Sequence, residues 1–130
     1  MKTYYKACHH TYDDKYISAV NKEGDWCVEY KIDKWVRPNI NGTNLMVFDS
    51  LEKARDCINK NRWYDIKIFE CNVEKPSKKG LFSNPCLPHI MLVALKQRLA
   101  RKKYRHLTGG FVPPIGTIFC TAVKLIKEVI

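Results

Sequence analysis

Acidic residues are almost missing from the second half of this chain. Residues 76–130 hold one, Glu128, against 10 Lys and Arg, whereas residues 1–75 hold 12 Asp and Glu against 13 Lys and Arg. A cationic surface that its own stretch of chain does not neutralise attracts polyanions, whether nucleic acid, an anionic membrane or an acidic protein face. Long apolar runs are missing as well. None approaches the roughly 20 residues that span a bilayer, so no membrane helix is expected. The start, MKTYYKACHHTYDD, has a lysine but no apolar run behind it, so no secretory signal is expected and the expected location is cytoplasmic. Metal-ligand spacing is scarce too. Cys8-His9-His10 offers a thiol and two imidazoles, but adjacent residues of an extended chain point in opposite directions, and no second Cys/His pair at short spacing follows. The expectation is a histidine pair in a loop with a partly buried thiol, no metal and no cofactor. The six cysteines are even in number, yet a chain of 130 residues can build a core without disulfides, and reduced thiols are expected.

What is present reads as one α+β domain over residues 1–130, a mainly antiparallel sheet packed by two helices at about 50–60 and 88–106. Residues 1–75 form its near-neutral scaffold and residues 76–130 its strongly basic part. Lys2 to Ala7 is a first strand with Tyr4 and Tyr5 on opposite faces. Trp26, Val28, Tyr30 and Ile32 alternate with Cys27, Glu29, Lys31 and Asp33, the period of a half-buried strand. Leu45-Met46-Val47-Phe48 is a short buried strand. Asp49 or Ser50 caps the helix that follows, Asp49 with Glu52 having capping-box spacing. Leu51, Ala54 and Ile58 form that helix's apolar stripe. Ile66 to Val73 returns as a strand with Phe69, Cys71 and Val73 on one face and Ile66 and Ile68 on the other. Thr117 to Ile126 supplies one or two final strands.

The second predicted helix, from Pro88 to His106, carries the functional expectation. Leu92, Leu95 and Leu99 form an apolar stripe, and Arg98, Arg101, Lys102 and Arg105 fall at i, i+3, i+4 and i+7 beside it. Six basic residues and no acidic one lie between Lys96 and Arg105. A helix dipole accommodates two or three cations at its C-terminal end, not six. The candidate polyanion-binding set is therefore Lys78, Lys79, Lys96, Arg98, Arg101, Lys102, Lys103 and Arg105. The expected partner is nucleic acid, met through its phosphate backbone, with an acidic protein surface as the alternative; the oligomeric state stays open. Membrane-surface binding is disfavoured because the helix lacks large aromatic anchors. No helix-turn-helix, zinc-finger or RNA-recognition signature accompanies the set, so non-enzymatic binding without sequence reading is expected.

Two resemblances add to this. The series YYKA, VEYKIDKWVRP, GTNLMVFDSLEKARDCI, IFECNV and PPIGTIFCTAVKLIKEV resembles small uncharacterised proteins of bacteriophages and mobile elements, which implies a viral-type binding protein, inhibitor or assembly subunit. A more distant similarity is to ADP-ribosyltransferase-like folds. Their pattern of a first-strand His, a middle-strand Ser or Tyr and a late-strand Glu implies His9 or His10, Ser18 or Tyr30, and Glu70 or Glu74. The chain departs from that pattern in having no His-Gly step, no Ser-Thr-Ser triplet and, near the final strand, Glu128 alone.

Overall fold

The computed structural model describes residues 2–19, 27–39, 43–78 and 114–129. In chain order these form β1 (Tyr4–His10), β2 (Tyr16–Ser18), β3 (Glu29–Tyr30), β4 (Trp35–Val36), β5 (Leu45–Phe48), α1 (Leu51–Asn61), β6 (Ile66–Glu74), β7 (Thr117–Cys120) and β8 (Ala122–Val129). The fold is a mostly antiparallel sheet with one helix among the described residues. The helix expected at 88–106 lies outside them. No described helix is long and apolar enough to cross a membrane.

The sheet closes on itself. Its wall is β1–β6–β8, in which β6 pairs with β1 from His9↔Ile66 to Tyr4↔Cys71 and with β8 from Ile68↔Val129 to Glu74↔Ala122. β7 runs into β8 through Thr121, so the two are one strand with a bend. At one end β5 bridges the wall's two edges, meeting β1 at Tyr5↔Phe48 and β7 along its whole length. At the other end β2 and β3 extend β1, and the chain leaving β3 crosses to β8, where Asp33 N–H donates to Leu125 O at 2.9 Å and β4 pairs at Trp35↔Lys124 and Val36↔Val123. The result is a small barrel whose edges are mostly paired, which removes most of the open ladder that invites aggregation.

Two apolar clusters hold it. Inside, Cys8, Val28, Tyr30, Leu45, Val47, Phe69, Cys71, Ile118, Cys120, Val123 and Leu125 pack together; a large side chain buried so fully contributes about 1.5–3 kcal/mol. Outside, Ala54 and Cys57 of α1 pack with Ala7, Phe48 and Ile68, and Leu51 and Ile58 flank them. The alternation in β6 is therefore explained: Phe69, Cys71 and Val73 face the interior, Ile66 and Ile68 face the helix.

Three expectations need correction. Among the described residues, the strand predicted from Trp26 makes ladder pairs at Glu29–Tyr30 and Ile32 makes an isolated bridge to Leu125; Val28 and Tyr30 are buried, but Ile32 is 46% exposed, because Asp33 turns the chain with φ 63 toward β8. Trp26 itself lies outside the described residues. The helix cap is Ser50, whose hydroxyl accepts from Lys53 N–H at 3.2 Å; Asp49 makes an ion pair with Lys53 at 3.2 Å and no capping box. Cys8-His9-His10 is not a loop but the end of β1.

Candidate nucleic-acid interface

Strand register assigns each charged residue to one end of the barrel. β6 finishes at Glu74, Lys75 turns the chain with φ 50, and Ser77 then exchanges both backbone hydrogen bonds with Phe119 at 2.7 Å. Chain beyond Lys78 thus departs from this end, and it returns at Pro114, whose carbonyl accepts from Thr117 N–H at 3.1 Å. Lys2, Arg37 and Lys75 sit at the same end, as does the start of α1. Of the eight residues expected to bind polyanion, Lys78 is described and is exposed. Lys79, Lys96, Arg98, Arg101, Lys102, Lys103 and Arg105 lie outside the described residues.

Six carboxylates of the barrel lie within 4 Å of a lysine or arginine. Glu74 lies 3.0 Å from Arg37, Asp49 3.2 Å from Lys53, Asp13 3.4 Å from Lys15, Glu70 3.7 Å from Lys127, Glu128 3.8 Å from Lys67 and Glu29 3.9 Å from Lys31. Such exposed pairs add little stability, typically below about 1 kcal/mol each. Their consequence is electrostatic: each of those six carboxylates already has a cation of the barrel beside it.

At the opposite end, His10 Nε2 lies 2.5 Å from an Asp14 carboxylate oxygen, and its ring stacks on Tyr16 at 5.0 Å. His9 Nδ1 reaches Tyr64 O at 3.4 Å. A histidine held by a carboxylate is the arrangement of a general base. The other residues of the transferase-like pattern do not join it. The Ser18 hydroxyl accepts from Val28 N–H at 3.0 Å, Tyr30 is buried in the barrel, and Glu70 is held by Lys127 on the outer face. Glu74 is eight residues along β6 from the partner of His9, roughly 26 Å away at strand rise.

The interior holds polar groups that sequence reading missed. Lys6, only 9% exposed, donates to Met46 O at 2.7 Å, with its ammonium 5.0 Å from the centre of the Tyr30 ring. Its signal was visible in retrospect, because Tyr4, Lys6 and Cys8 share one face of β1 and both neighbours are core residues. Around it, burial pushes the Cys8 and Cys71 thiols from 9.0 up to about 12 and Cys120 up to about 11. Thiols held protonated are poor nucleophiles and poor metal ligands. Among the described residues no group of three or more His, Cys, Asp and Glu side chains could hold a metal ion.

No family model matches this chain, and neither a curated protein nor a solved structure matches it.

Proposed function

We propose that this is a small non-enzymatic binding protein of the cytoplasm that engages nucleic acid through phosphate contacts. The basic residues Lys78, Lys79, Lys96, Arg98, Arg101, Lys102, Lys103 and Arg105 make those contacts, six of them within the helix expected over 88–106. The observation that supports the reading best is the charge split itself, 10 Lys and Arg against one acidic residue over residues 76–130 and 13 against 12 over residues 1–75. Arginine suits the task because its planar fork meets two phosphate oxygens at once. Phosphate contacts fix position on the nucleic acid without reading sequence.

Counterion release supplies the test. Six phosphate contacts make affinity fall roughly 300-fold on a single strand and roughly 2,000-fold on a duplex between about 50 mM and about 200 mM salt. Titration of labelled oligonucleotides across that range is expected to show this fall, and reversing charge together at Arg98, Arg101, Lys102 and Arg105 is expected to remove most of the affinity and its steep salt dependence while far-UV circular dichroism stays unchanged. Salt-independent affinity would overturn the reading. So would retention of the wild-type protein by an acidic host protein in nuclease-treated lysate, with no affinity for any oligonucleotide.

A further inference from the structure

We infer that the outer face of the barrel along β4 and β8 is a stacking platform for single-stranded nucleic acid, with Trp35 under a base and Lys124 at the adjoining phosphate. This rests on the nucleic-acid reading and names the form of nucleic acid bound.

The inference starts from register. Val36 and Val123 are cross-strand partners and both pack into the barrel interior, so the neighbouring pair Trp35↔Lys124 points outward. The ladder continues to Asn72↔Lys124 on β6, which sets Trp35, Lys124 and Asn72 in one row across three strands. Strand spacing places consecutive members about 5 Å apart, close to the separation of a base from its own phosphate. The row thus presents an indole face, an ammonium and an amide in the order that one nucleotide needs.

Exposure and charge agree with that use. Trp35 is 45% exposed and Ile126, two residues beyond Lys124 on the same strand, 37% exposed. Close to half of the Trp35 surface is therefore open, enough for the indole to offer a face to a base. Two cations flank it, Lys124 across the ladder and Lys34 before it in the chain, and the carboxylates on the same face of β6, Glu70 and Glu74, are paired with Lys127 and Arg37. Duplex bases are stacked inside their helix and cannot cover an indole, whereas an unpaired base can, and aromatic stacking tolerates any base because each has a π-face. Among polyanions, a single strand therefore fits this face and a duplex or an acidic protein surface does not.

The test compares Trp35→Ala and Trp35→Phe with the wild type, using a fluorescein-labelled oligothymidylate of about 12 nucleotides and a duplex of equal length, by fluorescence anisotropy at fixed salt. Trp35→Ala is expected to weaken single-strand binding about tenfold or more, the effect of one lost stack, and to leave duplex binding within about twofold. Trp35→Phe, which keeps a ring, is expected to retain most of the single-strand affinity. Equal binding by Trp35→Ala and wild type, with wild type binding both probes, overturns the platform and leaves the proposed function standing. Equal loss on both probes, or equal loss in both variants, also overturns it, by assigning Trp35 a structural role. A wild-type protein that binds neither probe overturns the proposed function and the platform with it.

Discussion

Lys6 and the thiols of Cys8, Cys71 and Cys120 give the barrel interior a chemical character that governs what the protein does with alkali and with electrophiles. Each thiol is essentially sealed, with exposures of 0%, 1% and 0%, and each is held protonated by burial well above the ordinary 9.0. A folded-state value above the unfolded one means that, above pH 9, the unfolded chain releases protons that the folded chain keeps. The thiols' contribution to stability is therefore complete below pH 9 and falls as pH rises through the interval up to 11 or 12. Urea denaturation at pH 8 and pH 10 is expected to show the lower midpoint at pH 10. Iodoacetamide at pH 8, followed by peptide mass spectrometry, is expected to spare these three cysteines in the native protein and to modify them in urea. Native labelling of any of the three would mean that the barrel opens readily. The ammonium of Lys6, on the same face of β1 as Tyr4 and Cys8, supplies the one charged donor among them, and its bond to Met46 O ties β1 to β5 where a single residue pair joins those strands.

Elements are held at their ends as much as along their faces. α1 begins at Ser50, whose hydroxyl satisfies the Lys53 N–H, and the chain just before it is tied to the start of β7 by Asp49 N–H donating to Gly116 O at 3.0 Å. Gly116 has φ +88, and a Cβ there would strike the Lys53 side chain, coming within 3.0 Å of its Cβ. Ser50→Ala is expected to cost about 1 kcal/mol, the usual loss of a cap. Gly116→Ala is expected to cost more, about 1–3 kcal/mol, through backbone strain and the clash. Thermal unfolding ranks the two, and the reverse order would show that the turn yields more easily than the helix cap. The same elements show what sequence can convey. The helix stripe and both faces of β6 were readable, because periodicity records which side of an element is buried, and here both sides of β6 are. The break after Tyr30 was not readable, because alternation continues through Ile32 while the chain switches partner from β2 to β8, a choice made by a strand far along the sequence. Lys6 was hidden for a related reason: a lysine reads as solvent-facing until closure of the sheet encloses it. The direction Trp35 faces was not readable either, since only its pairing with Lys124 shows it. The basic residues expected to bind were legible as a charge pattern, and of them the structure describes Lys78.

At the scale of the molecule, the described strands bond to one another directly. The strands on either side of residues 79–113 are already joined without them, by the paired hydrogen bonds of Ser77 and Phe119 and by Thr121 N–H donating to Glu74 O at 3.0 Å. Both apolar clusters draw on residues from before 79 and after 113, so folding must close this long connection before β7 and β8 can dock. Replacing residues 79–113 with a short Gly-Ser linker shortens that closure and lowers its entropic cost by about 1–2 kcal/mol. The shortened protein is therefore expected to unfold cooperatively with a urea midpoint equal to or above that of the full chain. It should also lose the steep salt dependence of nucleic-acid binding, because most of the phosphate-contacting cations go with the segment. Weak single-strand affinity that still depends on Trp35 is expected to remain, since the row Trp35, Lys124 and Asn72 belongs to the barrel. A shortened protein that fails to fold would instead make residues 79–113 part of the core, and charge reversals at Arg98, Arg101, Lys102 and Arg105 would then be expected to destabilise the whole protein rather than to act on binding alone.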